Sequence, residues 1–149
     1  MPAVSSRRLR LRVRAFVLLS RENRPDWLLL RAQRDTSWRL PGRDVVGNDT
    51  PSATALAAVQ DSVGLIPNGR LQLRAHTWTS DSASGDWILT YLFDFGVVTN
   101  VSASNPATAI NWVHRLLVPA QLDRDDAVPV VELLGGQSAG LVAYHEGVA

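Results

Sequence analysis

From Leu9 to Leu19 the chain first alternates and then becomes continuously apolar. Leu9, Leu11 and Val13 fall on one side, and Arg8, Arg10, Arg12 and Arg14 on the other. A period of two is that of a strand with one dry face and one wet face. Ala15, Phe16, Val17, Leu18 and Leu19 follow without a polar break, as the centre of a sheet covered on both faces requires. Arg24, Pro25 and Asp26 predict a turn, and Trp27 to Gln33 a second strand. The two strands form a long hairpin on this reading. A half-exposed first strand would also offer an edge for pairing in a homodimer. Trp38, Arg39, Leu40, Pro41 and Gly42 form a short extended piece ended by a turn dipeptide.

Thr50 in front of Pro51 is an N-cap followed by proline at the first helical position. The helix is expected to run from Pro51 to Val63 and to stop at Gly64 in the left-handed conformation. Leu56, Val59 and Val63 make its core-facing stripe. Strands are expected over Leu71 to Thr79, Trp87 to Val98 and Ala109 to Leu116, with Ser80 to Asp86 as a hairpin loop. Asp126 would cap a second helix from Ala127 to Leu134, ended by Gly135 and Gly136. Pro129 lies in its first turn, where proline is tolerated. The segment from Gly140 to Tyr144 fits a short strand or a helix equally. The order of strands, helix, strands and helix predicts a mixed sheet with helices packed on it.

Composition narrows the chemistry. The 149 residues fit one domain, spanning 1–149. With no cysteine there is no disulfide, thiolate nucleophile or iron–sulfur cluster. All 15 basic residues are arginine, which excludes Schiff-base and lysine-base mechanisms, and the net charge of +1 supplies no global field for nucleic acid. The arginine stripe at Arg8 to Arg14 is read as the solvated or partner-facing side of a strand. No apolar run is long enough to cross a bilayer, and no signal peptide is visible, so a cytoplasmic location is expected. His76, His114 and His145 are isolated from one another and do not make a zinc site. His114 is read as a packed strand residue in preference to a general base.

Trp38-Arg39-Leu40-Pro41-Gly42, the loop and helix after it, and Gly64-Leu65 together resemble the Nudix hydrolase family. Its box is G-x5-E-x7-R-E-U-x-E-E-x-G-U, with U a bulky aliphatic residue. Anchored on Gly64 and Leu65, the box places Arg43 at the opening glycine and Asp49 at the first glutamate. Ala57 and Ala58 stand at the Arg-Glu pair, Val59 at the aliphatic position, and Asp61 and Ser62 at the Glu-Glu pair. Asn111-Trp112-Val113 before Pro119, Gln121 and Leu122 resembles the family's late strand and helical turn. The resemblance implies an α/β/α sandwich with a mixed sheet and helices on both faces. It also implies hydrolysis of nucleoside diphosphates linked to a group X, with Mg²⁺ or Mn²⁺.

In the family, glutamates on one helix face gather the metal. Here that face holds Ala58, Asp61 and Ser62, so three carboxylates have become one. The resemblance makes Asp61 the first candidate metal ligand and catalytic residue. Ser62 is a second, weaker ligand, and Asp49 a second catalytic carboxylate. Asp123, Asp125 and Asp126 are candidates for a late-loop carboxylate. Arg43 could neutralise phosphate without metal by a bidentate contact, or could pair with Asp44 or Asp61. Trp78 and Trp87 flank the polar loop and are candidate stacking surfaces for a base. The expectation is a binder of a nucleotide-like small molecule whose catalysis is weak or lost. Two alternatives stay open: an active pyrophosphohydrolase using Asp61, Asp49 and a late-loop carboxylate, and a protein-interaction module.

Overall fold

The computed structural model describes residues 10–66, 71–81 and 83–135. The segment Gly140 to Tyr144, His145 and the first arginine of the stripe, Arg8, lie outside them. The strands are β1 (Leu11–Arg21), β2 (Arg24–Ala32), β3 (Gly42–Asp44), β4 (Gln72–Ser80), β5 (Trp87–Val97) and β6 (Thr108–His114), and the helices are α1 (Pro51–Val63), α2 (Val118–Gln121) and α3 (Arg124–Gly135). One six-stranded mixed sheet runs in the order β4-β5-β1-β2-β6, with β3 added beside β1.

The apolar run of β1 occupies the middle of this sheet. It pairs in parallel with β5 from Leu11↔Trp87 to Ser20↔Val97. Its other edge is shared: β3 pairs from Arg14↔Asp44 to Phe16↔Gly42, and β2 joins at Ser20↔Trp27. Strand alternation then sorts the core into two layers. Ala15, Val17 and Leu19 pack with Ala55, Val59 and Val63 of α1. Phe16 and Leu18 pack with Val118, Leu122 and Val130 from the α2–α3 region. The result is the expected α/β/α sandwich.

Helix α1 has the expected bounds. Thr50 Oγ1 accepts from the Ala53 N–H at 3.2 Å, and Gly64, at φ 69°, donates its N–H to Gln60 O. Its packing face differs from the expected stripe. Ala55, Ala58 and Val59 are buried, while Leu56 is only partly so, because small side chains let the helix approach the sheet closely. The hairpin turn also differs. It falls at Glu22–Asn23, with Asn23 at φ 60°, and Pro25 already belongs to β2. Asparagine tolerates the left-handed region that this tight turn needs. The hairpin is paired at its tip rather than along its length, since β3 takes the inner edge of β1. With β5 paired along its other side, β1 cannot be the edge of a homodimer.

Candidate functional site

Strand β3 positions the first candidate. Gly42 lies so close to β1 that a Cβ there would overlap Ala15 O and sit 2.9 Å from Phe16 Cα. This contact requires glycine and presses β3 against β1. The next residue, Arg43, is opposite Ala15, on the face covered by α1. Its Nη2 donates to Asp61 Oδ2 at 2.6 Å and to the Ala57 carbonyl at 3.4 Å. Of the pairings left open for Arg43, the structure makes the one with Asp61.

Asp44 is one residue further and therefore on the other face. Arg12 grips it through Nη2 at 3.0 and 3.1 Å and Nε at 3.3 Å. That hydrogen bond, ahead of the Coulomb attraction, raises the Arg12 guanidinium above its ordinary pKa. Asp44 is thus not in the same cleft as Asp61. Asp49 is exposed in the loop before α1. Pro51 and Asp61 are ten residue steps apart in the helix, about 15 Å of axial rise, so Asp49 and Asp61 stand at opposite ends of it. Ser62 is partly exposed, and its carbonyl accepts from the Ser104 N–H at 2.8 Å.

A divalent ion prefers several oxygen ligands gathered within bonding range. These residues do not fit that requirement. Asp61 already accepts from a guanidinium, Ala58 is 1% exposed and has no donor atom, and Asp49 and Asp44 lie elsewhere. Among the described residues no group of three or more His, Asp or Glu could hold a metal.

The late aspartates are on the opposite face of the sheet. Asp126 does not cap α3. The helix begins at Arg124, Ala127 N–H bonds to Asp123 O, and Asp126 lies buried in the first turn. Arg14, 5% exposed, donates from Nη1 to Asp126 Oδ1 at 2.6 Å. It also reaches Thr90 Oγ1 at 3.1 and 3.3 Å and the Asp125 carbonyl at 3.3 Å. The last contact answers Pro129. Proline lacks the N–H that would bond four residues back, so the Asp125 carbonyl takes its donor from Arg14 instead. Arg14 is therefore not on a solvated stripe. Arg14 and Asp126, with Asp35, Thr36, Ser37, Arg39, Asp123 and Asp125, line an open cleft of about 450 Å³. Ser37 Oγ donates to Asp123 Oδ1 at 2.6 Å. Sequence reasoning missed this assembly. The available signals were an arginine directly before the apolar run and a proline inside the last helix.

Trp78 and Trp87 are exposed, at 56% and 46%. Trp87 pairs with Leu11, and Trp78 with Leu89, so both rings lie on the α1 face. Leu11 is four residues along β1 from the partner of Arg43, about 13 Å at the rise of a strand. The tryptophans share a face with Arg43 but do not touch the Arg43–Asp61 pair. His114 is exposed rather than packed, and its Nδ1 accepts from the Leu116 N–H at 3.2 Å. His76 is exposed on β4. Among the described residues no helix is long and apolar enough to cross a membrane.

No family model matches the chain. No curated protein matches it either. Solved structures do. A MutT protein from Methanosarcina mazei Go1 superposes with a TM-score of 0.69 at 16% identity, covering 89% of this chain and 99% of that one. An Ap4A hydrolase from C. elegans, in a binary complex, gives 0.63 at 13% identity, covering 85% and 98%. The NUDIX domain of Shewanella oneidensis NrtR, complexed with ADP ribose, gives 0.62 at 14% identity, covering 89% and 90%. These likenesses span nearly the whole of each partner, and the chain has the Nudix fold.

Proposed function

We propose that this chain binds a nucleotide-type ligand carrying a diphosphate, and that hydrolysis by the family's metal-dependent route is weak or lost. The observation that carries this reading is the Arg43–Asp61 pair. The one carboxylate left on the box face of α1 is engaged by a cation that the chain itself supplies. Arg43 is the group for phosphate oxygens, since its planar fork suits them. The exposed rings of Trp87 and Trp78 lie on the same face, where a base can stack. The ADP-ribose complex of a similar domain supports the ligand class.

The test is a screen of nucleoside triphosphates, dinucleoside polyphosphates, ADP-ribose and sugar nucleotides, with Mg²⁺ and with Mn²⁺, on the wild type and on Asp61→Ala. The expected result is no turnover above background together with thermal stabilisation by at least one compound. Ligand at a hundred times Kd contributes about 2.7 kcal/mol, which raises Tm by roughly 5–11 °C for a chain of this size. Metal-dependent turnover that Asp61→Ala abolishes would make this an active pyrophosphohydrolase and overturn the reading. No turnover and no stabilisation would remove the nucleotide and favour a protein-interaction module.

A further inference from the structure

We infer that Asp61 is an internal competitor for Arg43. The carboxylate holds the guanidinium in the ligand-free chain and yields it to the phosphate oxygens of a bound ligand, so phosphate binding beside α1 needs no divalent ion. This rests on the reading above that the ligand carries a phosphate.

Three observations lead to it. Carboxylate and phosphate are the two anions that a guanidinium fork accommodates by the same paired N–H contacts, so one can replace the other on Arg43. The pair is also open to exchange. The side chains are 44% and 66% exposed, and an exposed pair of this kind shifts an equilibrium by only about two- to fivefold. Finally, the guanidinium has a fixed base. Arg43 is held by the β1–β3 ladder opposite Ala15, and its second contact is the carbonyl of Ala57, one turn before Asp61. Both contacts use Nη2, and an arginine side chain carries five N–H donors in all. A ligand phosphate arriving there meets a positive charge already in place. Asp61 contributes the opposing negative charge.

The inference reverses the sign expected of a metal site. Where Asp61 ligates an ion that holds the phosphate, Asp61→Asn weakens binding. Where Asp61 competes with the phosphate, the same substitution strengthens it. The experiment is calorimetric titration of ADP and ADP-ribose into wild type, Asp61→Asn and Arg43→Gln, each with Mg²⁺ and with EDTA. Mn²⁺ binding to the wild type and to Asp61→Asn is followed separately by electron paramagnetic resonance.

The expected results are equal wild-type affinity in Mg²⁺ and EDTA, binding about two- to fivefold tighter in Asp61→Asn, and binding at least about tenfold weaker in Arg43→Gln. No Mn²⁺ should bind at this site. Ligand binding that requires Mg²⁺, that weakens in Asp61→Asn, or that ignores Arg43→Gln would overturn the inference and leave the nucleotide reading standing. So would one bound Mn²⁺ that Asp61→Asn releases. Absence of binding for every compound of the wider screen, in both Mg²⁺ and EDTA, would overturn the inference and the nucleotide reading together.

Discussion

Replacing Asp126 with alanine isolates a charge inside the fold. The Arg14 and Asp126 side chains are only 7% and 10% exposed and meet at 2.6 Å. In Asp126→Ala the guanidinium stays beneath α3 with Thr90 Oγ1 and the Asp125 carbonyl as its acceptors, neither of them charged. Breaking a buried pair from one side costs about 3–5 kcal/mol, because the remaining ion is uncompensated. Against a total stability of about 5–15 kcal/mol, that is a large share. At about 2–4 °C per kcal/mol, Tm should fall by roughly 6–20 °C. Urea unfolding followed by tryptophan fluorescence measures the loss of free energy directly.

The double variant Arg14→Met/Asp126→Leu separates the charge from the packing. It removes both ions and keeps apolar volume, an exchange that is often neutral or stabilising. Here it should recover most of the loss but not all of it. Methionine cannot supply the N–H that Pro129 denies to the Asp125 carbonyl, and losing that part-buried hydrogen bond costs about 0.5–1.5 kcal/mol. If Asp126→Ala unfolds within about 1 kcal/mol of wild type, the charge was not isolated and the reasoning fails. It fails equally if the double variant is no more stable than the single.

Two further predictions concern other polar groups. Thr77 Oγ1 is buried without a hydrogen-bond partner, so Thr77→Val, which keeps the shape, should raise the free energy of unfolding by about 1 kcal/mol; a loss of stability in urea would contradict it. The Asp81 carboxylate is held below its ordinary pKa, first by the Ala83 N–H and then by Ser84. Its contribution is present above the unfolded-state pKa and fades as pH falls through the lower folded value. A side-chain carboxyl titration by NMR should therefore show its midpoint shifted to lower pH, and a midpoint at or above the ordinary aspartate range would refute the hydrogen bonds.

What the chain announced and what it concealed divide by distance along the sequence. The two ends of helix α1 were legible because their signals are local. Thr50 closes on Ala53, Pro51 starts the helix, and Gly64 takes the left-handed exit. The apolar run of β1 was legible for a similar reason, since burial on both faces leaves no polar position in the middle. Arg14 was not. Its parity put it with the wet residues of β1, but α3 covers that position, and Asp126 arrives 112 residues later. The dimer edge proposed for β1 failed in the same way, because the parallel partner β5 lies far along the chain and contributes nothing to the local pattern.

The Arg43 alternatives show how little a motif count can decide without register. In one dimension Arg43 is next to Asp44 and 18 residues from Asp61, so the nearer carboxylate looks like the natural partner. In the sheet the order reverses. Adjacent residues of a strand point to opposite faces, and pairing of Arg43 with Ala15 sends Arg43 toward α1 and Asp44 toward Arg12. That single parity choice sets Arg43 against Asp61 in an ion pair. A guanidinium held 2.6 Å from the Asp61 carboxylate puts a positive charge where any cation bound to that carboxylate would have to sit.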